Sequence, residues 1–207
     1  MRTDEKLADT MDLPPATAQP NVFPLSWEQG TEKMEEIWTA SQREVWDPAL
    51  LSWDTFDPDS YSWEEREAIA YWWTLLSVFD ASAPPVFASA FIKTYELHEE
   101  DAVRRCFFSV TRDEQNHEQM CGMAITKLLG WPDPLTYEPK TELGERAQRN
   151  VKWLYFNGGR YWEGYKQAVP KYSLAVLFSS FLMGEIAAAT IFHLMAEGAR
   201  EPVFEEA

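Results

Sequence analysis

Within the stretch FFSVTRDEQNHEQMCG, Phe107–Gly122, Glu114 stands three residues before His117, one of three histidines among 207 residues. On a helix, positions three apart lie one turn apart on one face, so carboxylate and imidazole point the same way. Val103, Phe107, Val110, Cys121, Ala124 and Leu128 recur at heptad steps, and Glu114 and His117 fall within that series. An apolar stripe of this kind faces a core. An unpaired carboxylate there costs several kcal/mol. Two readings answer that cost: a buried Glu–His hydrogen-bonded pair, or two ligands offered to one metal ion, as helical bundles offer them.

Glu185 raises the same question more sharply. From Leu174 to Ala196 it is the only formally charged residue, on a stripe of Phe178, Phe181, Ala188 and Phe192. Either it is protonated or it meets a cation from elsewhere in the bundle. A divalent ion shared by Glu114, His117 and Glu185 would answer both anomalies. The same apolar run has the length of a membrane span. Its mid-helix acid and its lack of positive flanks favour a helix inside a soluble bundle, and no membrane association is expected.

The elements that position these groups read as helices throughout. Residues 1–24 are polar and mixed in charge with no hydrophobic period, which reads as a flexible N-terminal arm. Residues 25–207 read as one all-α helical bundle. Ser62 and Glu65 form a capping-box pattern before Ile69, Trp73, Leu76, Asp80 and Ala83 at helical steps. Pro84 and Pro85 force that helix to kink or restart. A further helix runs from about Glu99 to Leu129 and stops at Gly130. The region from Thr141 to Ala168 is expected to break at Gly158 and Gly159. A long apolar helix follows Pro170, and Pro202 looks like the start of another.

Lysine plus arginine number 18 against 34 acids, a formal charge of −16, and no basic cluster is present, which speaks against nucleic acid as a partner. Cys106 and Cys121 lie about 22 Å apart at helical rise, too far to bridge on one helix. That suggests a reducing compartment, and without a secretory pattern at the start the cytoplasm is the expected location.

With these residues placed, the chain resembles the ferritin-like di-iron carboxylate proteins, in the branch of ribonucleotide reductase small subunits and bacterial multicomponent monooxygenases. DEQNHEQMC is similar to the monooxygenase pattern Asp-Glu-x-x-His-x-x-x-Cys, and MGEIAAAT to the Gly-Glu helix carrying a single carboxylate. The resemblance implies Glu114, His117 and Glu185 as metal ligands, with two irons in a complete site or manganese in their place. It also implies dioxygen and a small organic substrate, a redox partner protein, and a homo-oligomer or companion subunit. Cys121 stands where the reductase subunits usually hold a radical tyrosine, which tilts the reading toward monooxygenase or oxidase chemistry.

The pattern departs from the family at two places. Aligning FLMGE on FDASA pairs Glu185 with Ala83, so Asp80, three residues earlier on the same face, is the candidate replacement ligand. Ala189 stands where the monooxygenases often carry a threonine, with Thr190 beside it rotated away. His193 reads as a core or supporting histidine, His98 as solvated, and Trp46 as a packing anchor. The interval from Ala83 to Glu114, counted again from Glu185, falls near position 216, so the chain reads as the N-terminal part of a longer bundle. The expected function is an oxygen-activating, iron-dependent oxidoreductase. The alternative is a non-catalytic ferritin-like interaction subunit that has lost part of the site.

Overall fold

The computed structural model describes residues 31–168, 174–198 and 202–203. The expected N-terminal arm and the residues around Trp27 lie outside them. Among the described residues there are six α-helices and no strand: α1 Glu32–Arg43, α2 Trp63–Asp80, α3 Ala83–Glu96, α4 Asp101–Leu129, α5 Glu142–Ala168 and α6 Leu174–Gly198. Three single-turn 3₁₀ helices, Pro48–Leu50, Trp53–Thr55 and Pro58–Ser60, link α1 to α2. The all-α expectation holds.

Helix α4 is the central element. It packs most extensively on α2 and α3, and α1 lies along another of its sides. Its heptad stripe explains this: Phe107, Glu114, Cys121, Ala124 and Leu128 are all buried. Around its C-terminal half the core gathers Trp53, Phe56, Tyr61, Ala70, Trp73, Met120, Ile125 and Val203. A smaller apolar cluster of Phe87, Ala90 and Phe107, backed by Ala83 and Val110, joins α3 to its first half.

The local signals act as their chemistry dictates. Ser62 Oγ accepts from the Glu65 N–H at 3.3 Å, and Glu65 Oε2 accepts from the Ser62 N–H at 2.9 Å, closing the capping box that starts α2. Helix α2 ends at Asp80, and α3 begins at Ala83 with Pro84 and Pro85 in its first turn, where a missing N–H costs nothing. Gly130, at φ 66°, terminates α4 in the left-handed conformation glycine adopts freely. The whole stretch Trp63–Glu96 is long and apolar enough to cross a bilayer by length and composition. The turn at Ala81–Ser82 divides it into two helices, each laid on α4.

Two expectations are corrected. Helix α5 runs unbroken through Gly158 and Gly159. A glycine inside a helix costs about 1 kcal/mol. That penalty is too small to end a helix by itself. Helix α6 is not enclosed: Leu182, Met183, Ile186, Ile191 and Leu194 are exposed. It packs along α3, which covers a narrow strip of a helix that is apolar nearly all round.

Helix α5 starts on a buried carboxylate. Glu67 of α2 is fully buried and accepts from the Lys140 N–H at 2.5 Å, the Thr141 N–H at 3.1 Å and Thr141 Oγ1 at 2.6 Å. An anion there satisfies donors that a helix N-terminus leaves open and complements its dipole. Gly144 is what lets the two helices close: a Cβ on it would lie 2.0 Å from Glu67 Oε2. The burial of Glu67 has no signal in the sequence, since a Glu in the first turns of a helix ordinarily faces water.

Candidate metal centre

Glu114 sits mid-way along α4 and is buried, as its place in the stripe requires. His117, one turn on, turns Nδ1 to within 3.7 Å of Glu114 Oε2, and its side chain keeps 35% of its surface exposed. The imidazole therefore stands at the edge of the core. Its ring has two aromatic neighbours, Trp46 at 5.5 Å and Phe192 of α6 at 6.5 Å between centroids. Trp46 is held from below: the Asn116 side-chain amide donates to its backbone carbonyl at 2.8 Å. Trp46 was expected as a packing anchor, and it is one, against His117 itself.

Asp80 is the last residue of α2 and is half-buried. It faces the α4 stripe, where it accepts a hydrogen bond from the Cys121 thiol, Sγ to Oδ2 3.6 Å. Burial first, then the Glu114 charge, pushes the Asp80 carboxyl up to about 6, with His117 and the thiol acting the other way and Glu185 adding to the rise. Burial works against charging His117, but the Glu114 carboxylate, with Asp80 and Asp113, outweighs it and holds the imidazole above its ordinary range. Cys121 is fully buried, which, together with Asp80, pushes its thiol far up.

Glu185 lies on an exposed stretch of α6, contrary to the expectation of a buried acid. Its carboxyl is nevertheless raised, by partial desolvation and then by Glu114, with His117 opposing. Glu114 is thus the common neighbour: Asp80, His117 and Glu185 each respond to its charge. The contacts join these groups pairwise: His117 to Glu114, and Asp80 to Cys121.

Pairwise contact is not the same as closing around an ion. Among the described residues no three His, Cys, Asp or Glu side chains stand close enough together to hold a metal. In kind, three carboxylates and one imidazole are the donors a hard divalent cation takes. The Glu114 charge raises the carboxyls of Asp80 and Glu185, and a cation would relieve that repulsion. Ala83 offers no donor and packs into the apolar cluster with Phe87 and Phe107.

The remaining candidates fall away from the site. His193, expected in or beside the core, is exposed and pairs with Glu197 at 3.3 Å. Thr190 donates its hydroxyl to the Ile186 carbonyl of its own helix at 2.9 Å. His98 is exposed, as expected, at φ 57° in the turn after α3. Neither cysteine is in a disulfide. The Cys121–Asp80 contact was missed in the sequence, although a cysteine in heptad register one turn after His117 was its visible signal. Comparison with protein-family models, with curated proteins and with solved structures finds no match to this chain.

Proposed function

We propose that the protein is an oxygen-activating, metal-dependent oxidoreductase of ferritin-like design, with Asp80, Glu114, His117 and Glu185 as its contribution to a carboxylate-rich iron or manganese centre. The observation that carries this reading is the electrostatic one. Asp80, His117 and Glu185, each singled out by sequence position, respond to the charge of a fourth such residue, Glu114, and His117 lies one turn from it on α4. The set holds three acids to one base, an excess that a divalent cation would neutralise.

A bound ion would supply Lewis-acid and redox chemistry toward dioxygen and an organic substrate, with electrons from a separate redox protein. The chain's own part is to hold and orient. Glu114 is fixed by burial in α4. The His117 ring is restrained by contacts with Trp46 and Phe192. Cytoplasmic location and assembly with a second copy or a companion subunit belong to the same reading.

A second reading, a ferritin-like interaction subunit without catalysis, draws on Ala83 in place of a carboxylate and on the exposed apolar residues of α6. Iron and manganese analysis of the purified protein, with Fe(II) titration under anaerobic conditions, separates the two. The oxidoreductase reading expects at least one metal per chain, lost in Glu114→Ala and His117→Ala. Metal-free protein that takes up neither ion refutes it in favour of the interaction subunit.

A further inference from the structure

Asp80 occupies an awkward place for an acid. It is the C-terminal residue of α2, where the carbonyl end of the helix dipole disfavours negative charge, and it is half-buried with Glu114 and Glu185 nearby. A carboxylate in that setting needs a donor to fix its rotamer. Among the described residues the hydrogen-bond donor to Asp80 is the Cys121 thiol at 3.6 Å. Cys121 has no accessible surface and lies on the same α4 stripe as Glu114 and His117.

We infer that Cys121 is a positioning residue for the metal centre: its thiol holds one oxygen of Asp80 and so aims that carboxylate across the seam at Glu114 and His117. This rests on the metal reading above and adds to it the device that lets an aspartate at position 80 serve where residue 83 is alanine. The argument is one of register. Glu114, His117 and Cys121 follow one another at three- and four-residue steps on α4, so the two ligand positions and the donor are carried by one rigid helix. Asp80 comes from α2, the helix packed most extensively on α4. A shared stripe therefore fixes the fourth group relative to the first two. Partners of this kind hold a ligand's orientation, and their removal typically lowers metal affinity about 10- to 100-fold.

The test uses the full chain and two readouts. In the metal-free protein carrying Cys106→Ser, the Cys121 S–H stretching band in the infrared is expected at the low frequency of a hydrogen-bonded thiol. It should move up in Asp80→Ala. In Co(II) titrations followed by calorimetry and by the visible ligand-field bands, Cys121→Val removes the donor and leaves an apolar side chain slightly larger than the thiol, and is expected to bind about 10-fold more weakly or worse. Cys121→Ser restores a donor and should recover most of the affinity. In an Asp80→Ala background Cys121→Val should have no further effect, because the thiol acts through the carboxylate. Where the valine variant does not fold, Cys121→Ala takes its place in the same cycle. An S–H band unmoved by Asp80→Ala overturns the positioning role. So does a donor-less variant that binds Co(II) like the parent, or one that loses equal affinity with and without Asp80, and each leaves the metal centre standing. A parent protein that takes up no Co(II) overturns the metal centre itself, and the role of Cys121 with it.

Discussion

Replacing Asp80 by asparagine should make the metal-free protein more stable at pH 8 and no more stable at pH 4. The folded environment lifts this carboxyl from an ordinary 3.8 to about 6. A group whose folded pKa is raised binds its proton more tightly in the native state than in the unfolded chain. Its favourable contribution is therefore present below about 4 and is lost as pH rises through about 6. Above that window the ionised Asp80 costs about 3 kcal/mol, since each pKa unit corresponds to about 1.4 kcal/mol. Asparagine removes the charge and keeps an acceptor oxygen for the Cys121 thiol. For a chain of this size 1 kcal/mol moves Tm by about 2–4 °C, so Asp80→Asn should melt about 6–12 °C higher at pH 8. Thermal melts by circular dichroism at both pH values, in chelator, measure this directly. An excess of Mn(II) or Co(II) should reverse the order at pH 8, because the charge that destabilises the metal-free protein is the one that binds the ion. A variant that melts at or below the parent at pH 8 refutes the reasoning. So does an equal gain at both pH values, which would mean that Asp80 carries no electrostatic penalty.

Gly144→Ala should cost about 3 kcal/mol or more in urea unfolding. Its methyl would displace the Glu67 carboxylate and strand the Lys140 and Thr141 donors. A loss below about 1 kcal/mol would show that Glu67 does not anchor α5. His117, followed by NMR through its ring carbons, should titrate above 6.5 and shift downward in Glu114→Gln. Its contribution to stability should then be present below 6.5 and disappear as pH rises through the folded value. A titration at or below 6.5 in the parent would remove Glu114 as its partner.

Much of the architecture was legible in local chemistry. The capping box at Ser62, the Pro84–Pro85 restart and the left-handed Gly130 each act within a few residues, so they read the same in sequence and in structure. The heptad stripe of α4 likewise announced which face is buried, and with it that Glu114 and His117 share that side. Helix α1 was not anticipated, because none of its residues is buried and its hold on α4 runs through polar contacts. Arg105 pairs with Glu35, and Arg112 donates to the Ser41 carbonyl at 3.2 Å.

What only the tertiary structure decided concerns pairs of residues on different helices. Glu67 and Gly144 lie far apart in sequence, and neither residue type announces a buried acid meeting a close helix approach. Asp80 and Cys121 are joined because α2 lies along α4 in one particular register. Glu185 illustrates the converse: an apolar helix predicts burial, but burial also requires neighbours, and α6 has α3 along one side while its outward residues stay exposed. Periodicity records which face of a helix seeks cover. Which element provides that cover, and which side chains meet there, is set by packing between distant segments, whose energy no local pattern contains.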